Sequence, residues 1–264
     1  MLRFLYTTVP GRCLLKVLTN RRLSQAVGKF MDSRASKCLI APFIRKNKID
    51  LREYKEREFS TFNAFFTREI RPECRPISKR GLMAPCDGLL SAYKIDASCR
   101  LPIKGSVYSV ETLLGGDERA RHFENGTALV FRLCVHHYHR YRFFDDCVPQ
   151  ASKFIPGVLH TVRPIALENT DVFHQNCREV TFMETKHFGL AAQIEVGAML
   201  VGKICNLHIR RPVHRGQKKG WFCYGGSTIV LLLEEGAAKI PEALFEMTKN
   251  NLEKEVRMGE RLDG

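Results

Sequence analysis

The sequence predicts an α+β chain: a mainly antiparallel β core, barrel- or sandwich-like, preceded by a basic helical N-terminal segment. Three observations lead there. Up to about residue 75, apolar residues recur at spacings of three and four with lysines and arginines between them, the pattern of amphipathic helices. After residue 80 the period changes, and short stretches rich in Val, Ile, Leu and Phe are broken by Gly, Pro and Asp. These stretches do not alternate with long helical patterns, which argues against parallel βαβ units.

The first helix is expected over 12–32, from Leu14, Val17, Leu18, Leu23, Val27, Phe30 and Met31, with Lys16, Arg21, Arg22 and Lys29 interspersed. Such a helix either lies in a membrane interface, apolar face down, or packs on the protein's own core. A short helix over 41–45 follows. Ser60 and Thr61 cap a third helix that carries Phe62, Phe65 and Phe66 on one face and ends at Arg71-Pro72. Strands are expected over 89–95, 127–135, 157–162, 178–185, 190–196, 199–204 and 228–233, with a short helix over 110–114. The tail from Pro241 begins as a helix, and its last residues fit a strand equally well. The boundary between the basic segment (1–75) and the β-rich domain (76–264) falls near Arg75-Pro76.

With 264 residues, 44% of them hydrophobic, the chain can bury a substantial core. Its 42 Lys and Arg outnumber 28 Asp and Glu, a formal charge of +14 that favours an anionic partner. Zinc-finger spacing and an RNA-recognition signature are both missing, so a membrane surface is expected rather than nucleic acid. The ten cysteines never form a Cys-x-x-Cys pair, and Cys134 and Cys205 sit in apolar runs where a free cysteine acts as a small hydrophobe. A disulfide framework is possible but typical of shorter secreted chains, and a reducing compartment is expected. No apolar run approaches the ~20 residues of a membrane span, and the opening residues are too short for a signal-peptide core.

Three stretches could carry chemistry. In Pro85-Cys86-Asp87-Gly88 the Asp-Gly is an ordinary turn, or its carboxylate orients a histidine at a strand mouth. His136-His137-Tyr138-His139-Arg140-Tyr141-Arg142 concentrates three histidines and two arginines. His137 and His139, with Cys134 or Cys147, could ligate a metal. There is no second cluster of matched spacing, so a histidine base beside arginines that bind an anion is the better-motivated reading, and no metal is expected. Gly225-Gly226-Ser227-Thr228 is a β-turn ahead of a strand, or it presents a hydroxyl to a carbonyl, including that of Gly226 in its own chain. Asp87, His139 and Ser227 together have the composition of an orienter, base and nucleophile.

Taken in order, these and other blocks resemble the phosphatidylserine decarboxylase family. The resemblance runs through Phe62-Asn63-Ala64-Phe65-Phe66-Thr67-Arg68 with Arg75-Pro76-Ile77, Pro85-Cys86-Asp87-Gly88, and Ile103-Lys104-Gly105-Ser106-Val107-Tyr108. It continues through Tyr138-His139-Arg140-Tyr141, 154–162, 196–202, and Arg215–Gly220 leading into Gly226-Ser227-Thr228. It implies a pyruvoyl enzyme that decarboxylates phosphatidylserine to phosphatidylethanolamine. Ser227 would attack the Gly226 carbonyl, and the chain would part into a β chain (1–226) and an α chain (227–264), leaving a pyruvoyl group at position 227. Asp87, His139 and Ser227 would form the triad, with His139 also the acid that reprotonates the product carbon. Many members carry a second histidine three residues after the first. Here that position is Arg142, which with Arg140 is expected to meet the substrate's carboxylate or phosphate. The resemblance further implies a peripheral protein on the cytoplasmic side of an anionic membrane, built from its own α and β chains and open to homo-oligomerisation.

Overall fold

The computed structural model describes residues 21–104, 106–159, 174–197, 203–224 and 227–264. The start of the first expected helix, and parts of the strands expected over 157–162 and 199–204, lie outside the described residues. Helix α1 (Arg21–Met31) and helix α2 (Ile40–Asn47) precede α3 (Phe62–Phe66). Thr61 caps α3 by accepting a hydrogen bond from the Ala64 amide at 3.1 Å. Phe62, Phe65 and Phe66 are buried against Ile40 and Phe59.

The β region opens with β1 (Gly88–Lys94), the hairpin β2 (Leu101–Ile103) and β3 (Ser106–Tyr108), and helix α4 (Val110–Leu114). Strands β4 (Thr127–Leu133), β5 (Arg140–Arg142), β6 (Cys147–Pro149), β7 (Lys153–Ile155), β8 (Val158–Leu159) and β9 (His174–Gln175) follow. Next come β10 (Arg178–Thr185), β11 (Gly189–Val196), β12 (Ile204–Asn206), β13 (Lys218–Phe222) and β14 (Ser227–Leu233). The chain closes with helix α5 (Glu242–Lys249) and β15 (Lys254–Val256), so the tail holds both a helix and a strand.

Eight strands form an open sheet in the order β15-β1-β4-β14-β11-β10-β6, with β7 also pairing β10; it does not close into a barrel. Every strand pairing among the described residues is antiparallel, as the period change predicted. Strand β14 lies at the centre, between β4 and β11. Ile229, Leu231 and Leu233 join one core cluster with Phe222, Leu244 and Phe245. Val230 and Leu232 join the other, with Ile103, Tyr108 and Leu113. Burial on both faces explains why this strand reads as an unbroken apolar run. It also gives the segment from Ser227 onward a ladder on each side.

A second sheet, β12-β13-β5, covers the Phe222 face. Its central strand carries a bulge, because Lys218 pairs with Arg142 and Gly220 with Tyr141. The extra residue, Lys219, turns inward, as bulges allow, and its ammonium lies 2.8 Å from both oxygens of the fully buried Glu195. Gln193 and Asn206 complete the carboxylate's hydrogen bonds. Gly220 is required beside them: a Cβ there would stand 2.5 Å from the Cys205 carbonyl oxygen and 2.7 Å from the Tyr141 hydroxyl. Lys219→Met, which strands a buried carboxylate, is expected to lower stability by about 3–5 kcal/mol. The check is the urea midpoint, with Lys254→Met, at an exposed ion pair, as the control expected to cost less than ~1 kcal/mol.

Candidate active site

The sheet's antiparallel order brings the starts of β1 and β14 and the ends of β4, β11 and β15 to one end. Ser227 faces Leu133 across β4, Thr228 faces Val196 across β11, and Gly88 faces Val256. All three residues of the expected triad therefore fall at this end. Ser227 is 1% exposed and opens the central strand. Gly226 lies outside the described residues.

His139 reaches the same end from β4. The chain turns after Leu133, with the His137 amide donating to the Cys134 carbonyl and the Cys134 amide donating to His137 Nδ1 at 2.9 Å. The Phe222 amide then donates to the His139 carbonyl at 3.0 Å, fixing His139 beside β13 just ahead of β5. Its imidazole is fully buried, 4.1 Å from the Phe66 ring centre, and Phe66 in turn packs on Tyr224, two residues before Gly226. Nδ1 lies 2.9 Å from the His137 carbonyl oxygen, which can only accept, so Nδ1 carries the proton. Nε2 keeps its lone pair, and it is buried with no hydrogen-bond partner. Burial, opposed by the hydrogen bond to the His137 carbonyl and aided by the charges of Arg68 and Lys104, pushes the imidazole down to about 3, so it is neutral at physiological pH. That is the state of a base. It does not suit the acid role expected for the same residue.

Asp87 is buried, but it does not orient His139. Arg75 grips both carboxylate oxygens, through Nε at 2.9 and 3.2 Å and Nη2 at 2.7 Å, and the Met258 amide donates to Oδ1 at 2.8 Å. Glu53 pairs with the same guanidinium at 3.0 Å. Asp87 thus ties the N-terminal segment, the start of β1 and the C-terminal tail together. The orienter of His139 is the His137 carbonyl.

Arg140 and Arg142 alternate with the buried His139 and Tyr141, so they leave β5 on the other face. Arg140 donates to the Thr67 carbonyl at 2.7 Å and lies 3.3 Å from Glu69, while Arg142 donates to the Gly216 carbonyl at 2.5 Å. With Tyr138, Lys218 and Trp221 they line a cavity of about 200 Å³. Glu69 shares this face, pairing with Lys218 at 2.6 Å as well as with Arg140. His136 is exposed. Among the described residues, no group of three or more His, Cys, Asp or Glu side chains is arranged to hold a metal ion.

Lys104 belongs to the block Ile103–Tyr108 that carries the resemblance, but no role is expected of it from the sequence. It sits at the tip of the β2–β3 hairpin with φ +52, within electrostatic reach of His139 and Cys177. Tyr108 anchors that hairpin by accepting from the Asn176 amide at 2.7 Å. Burial brings the Lys104 ammonium down to about 7. Nothing in that block marks its lysine as one that burial would bring toward neutrality.

A buried serine heads the central strand and a buried, neutral histidine lies toward the same sheet end, the residue types an enzyme site would need. The family model for phosphatidylserine decarboxylase matches residues 62–263. The chain is 43% identical over 264 residues to phosphatidylserine decarboxylase proenzyme 2 of Clostridium acetobutylicum, covering 99% of this chain and 90% of that protein. It is 37% identical over 270 residues to the proenzyme of Desulfitobacterium hafniense (99% and 91% covered) and 38% identical over 270 residues to that of Ruminiclostridium cellulolyticum (99% and 90%). The chain belongs to the phosphatidylserine decarboxylase family.

Proposed function

We propose that the chain cleaves itself between Gly226 and Ser227 and then converts phosphatidylserine to phosphatidylethanolamine. The observation that carries this reading is the unpartnered, buried Nε2 lone pair of His139 at the sheet end where Ser227 begins β14. His139 takes the Ser227 hydroxyl proton as Oγ attacks the Gly226 carbonyl. The peptide bond to the Ser227 nitrogen breaks, and an ester to Oγ forms. Removal of the Cα proton then expels the upstream chain as a carboxylate, and hydrolytic loss of ammonia leaves a pyruvoyl group at position 227.

The orphaned Nε2 and the buried, strand-fixed position 227 fit such a group. When formed, it supplies an electron sink for the pair left by departing carbon dioxide. Ladders to β4 and β11 hold residue 227 in place. Lys104, poised near neutrality, replaces His139 as the donor of the proton to the product carbon. The cavity beside Arg140, Arg142 and Lys218 suits the headgroup phosphate. A membrane-surface location draws on Lys29, Arg34, Lys37 and Lys46 around α1 and α2, and on the exposed Phe30 and Leu39. No described helix is long and apolar enough to cross a membrane. The α and β chains remain together as a heterodimer.

The test is turnover of carboxyl-labelled phosphatidylserine in vesicles. Carbon dioxide release is expected from the lipid and not from free serine, falling as pH rises through about 7 and Lys104 loses its proton. Lys104→Met is expected to lower turnover by about 10²-fold or more and to abolish that limb. Equal turnover of free serine would point instead to a soluble amino acid as substrate. An intact chain that binds lipid without turnover would point to a non-processing binding protein.

A further inference from the structure

Two cysteines with no part in this chemistry stand next to the cleavage segment. Cys205 is the middle residue of β12, and Cys223 follows the last residue of β13. The strands pair antiparallel, with Cys205 opposite Trp221, and the Cys223 amide continues the ladder by donating to the Lys203 carbonyl at 3.0 Å. Cys223 has the same parity as Trp221, so the two thiols share one face of the ribbon as diagonal neighbours. Their sulfurs are 3.9 Å apart, and both residues are half-buried. Closing that gap to the ~2.05 Å of a bond needs only side-chain rotation and a small strand adjustment.

We propose that Cys205 and Cys223 are an oxidisable thiol pair whose disulfide tethers the segment just upstream of the cleavage bond to β12. The oxidant is a low-molecular-weight disulfide of the glutathione class. The Cys205 thiolate attacks it and expels one thiol. Cys223 then attacks the mixed disulfide and expels the second. The protein loses two electrons and two protons, and the oxidant becomes two thiols. The hydrogen bond from Cys223 lowers the Cys205 thiol to about 7 and raises that of Cys223, which assigns Cys205 as the attacking sulfur.

Cys223 is three positions before Gly226, and the intervening Tyr224 packs on Phe62 and Phe66. The tether therefore acts on the segment that must deliver the Gly226 carbonyl and that becomes the end of the β chain once cut. This consequence, unlike the disulfide itself, rests on the self-cleavage reading.

The experiment equilibrates the Ser227→Ala chain with oxidised glutathione, blocks remaining thiols, and maps peptides by mass spectrometry. A cross-linked Cys205–Cys223 peptide that dithiothreitol reverses, and that Cys205→Ser abolishes, is the expected result. Separate blocking of both cysteines after oxidation overturns the proposal. In parallel, the unsubstituted chain is made in a reconstituted translation system under oxidised and reduced glutathione. Processing is expected to be several-fold slower when oxidised, with the difference lost in Cys205→Ser. Equal rates despite a mapped disulfide overturn the tether's effect on cleavage. No processing under either condition overturns the self-cleavage reading and leaves the disulfide result standing.

Discussion

Ser227→Ala is expected to leave a single polypeptide of 264 residues with no decarboxylase activity. Two functions are lost together: the oxygen that attacks Gly226 and the precursor of the electron sink. Removing a nucleophile from a site that acts as a unit costs about 10⁶-fold in rate, so processing should be undetectable over days. The fold should survive. Alanine keeps the Cβ, and the lost hydroxyl interaction costs about 1 kcal/mol. The remaining residues of β14 stay buried between β4 and β11. Denaturing gels should show one band, while urea unfolding stays close to that of the processed protein.

The second large effect is expected at His139. His139→Gln removes the Nε2 lone pair while keeping a side chain of similar length, and it should slow processing by about 10²–10⁴-fold. Processing in the unsubstituted chain should show no histidine titration between pH 5 and 8, because the imidazole stays neutral down to about 3. Stability carries the opposite signature. Below the ordinary histidine value of 6.5 the unfolded chain takes up a proton that the folded chain refuses until about 3. The folded state thus loses stability as pH falls through that window. His139→Gln should remove this component of acid destabilisation. A processing rate that drops sharply near pH 6.5 would contradict the buried, neutral base.

The elements with strong periodicity were legible from the sequence. Helix α4 and strand β10 have the expected bounds, and β14 differs only by including Ser227. The short strands were not. β13 begins Lys-Lys-Gly, which reads as polar loop, because its second lysine is turned inward by a bulge toward a carboxylate more than twenty residues away. The hairpin β2–β3 has three residues per strand, too few for alternation to register.

At the site, the family resemblance pointed to Ser227 and His139, which the structure places toward one end of the sheet, while their neighbours had no signal in the sequence. Asp87 looked like a histidine's orienter because the guanidinium that takes it, Arg75, lies twelve residues upstream and meets it only in space. The true orienter of His139 is a backbone carbonyl, which has no residue signature. Arg142 replaces an expected histidine on the strand face turned away from His139, so the missing acid function is better sought at Lys104.

Conversion of Ser227 to a pyruvoyl group by self-cleavage would change the covalent chain itself. Its most direct test is the intact mass of the polypeptides in purified, active protein. Two species are expected: residues 1–226, and residues 227–264 lighter by one ammonia than simple hydrolysis would leave, with no free α-amine. An intact chain of 264 residues in active protein, or a small fragment that begins with an ordinary serine, would contradict pyruvoyl formation by self-cleavage.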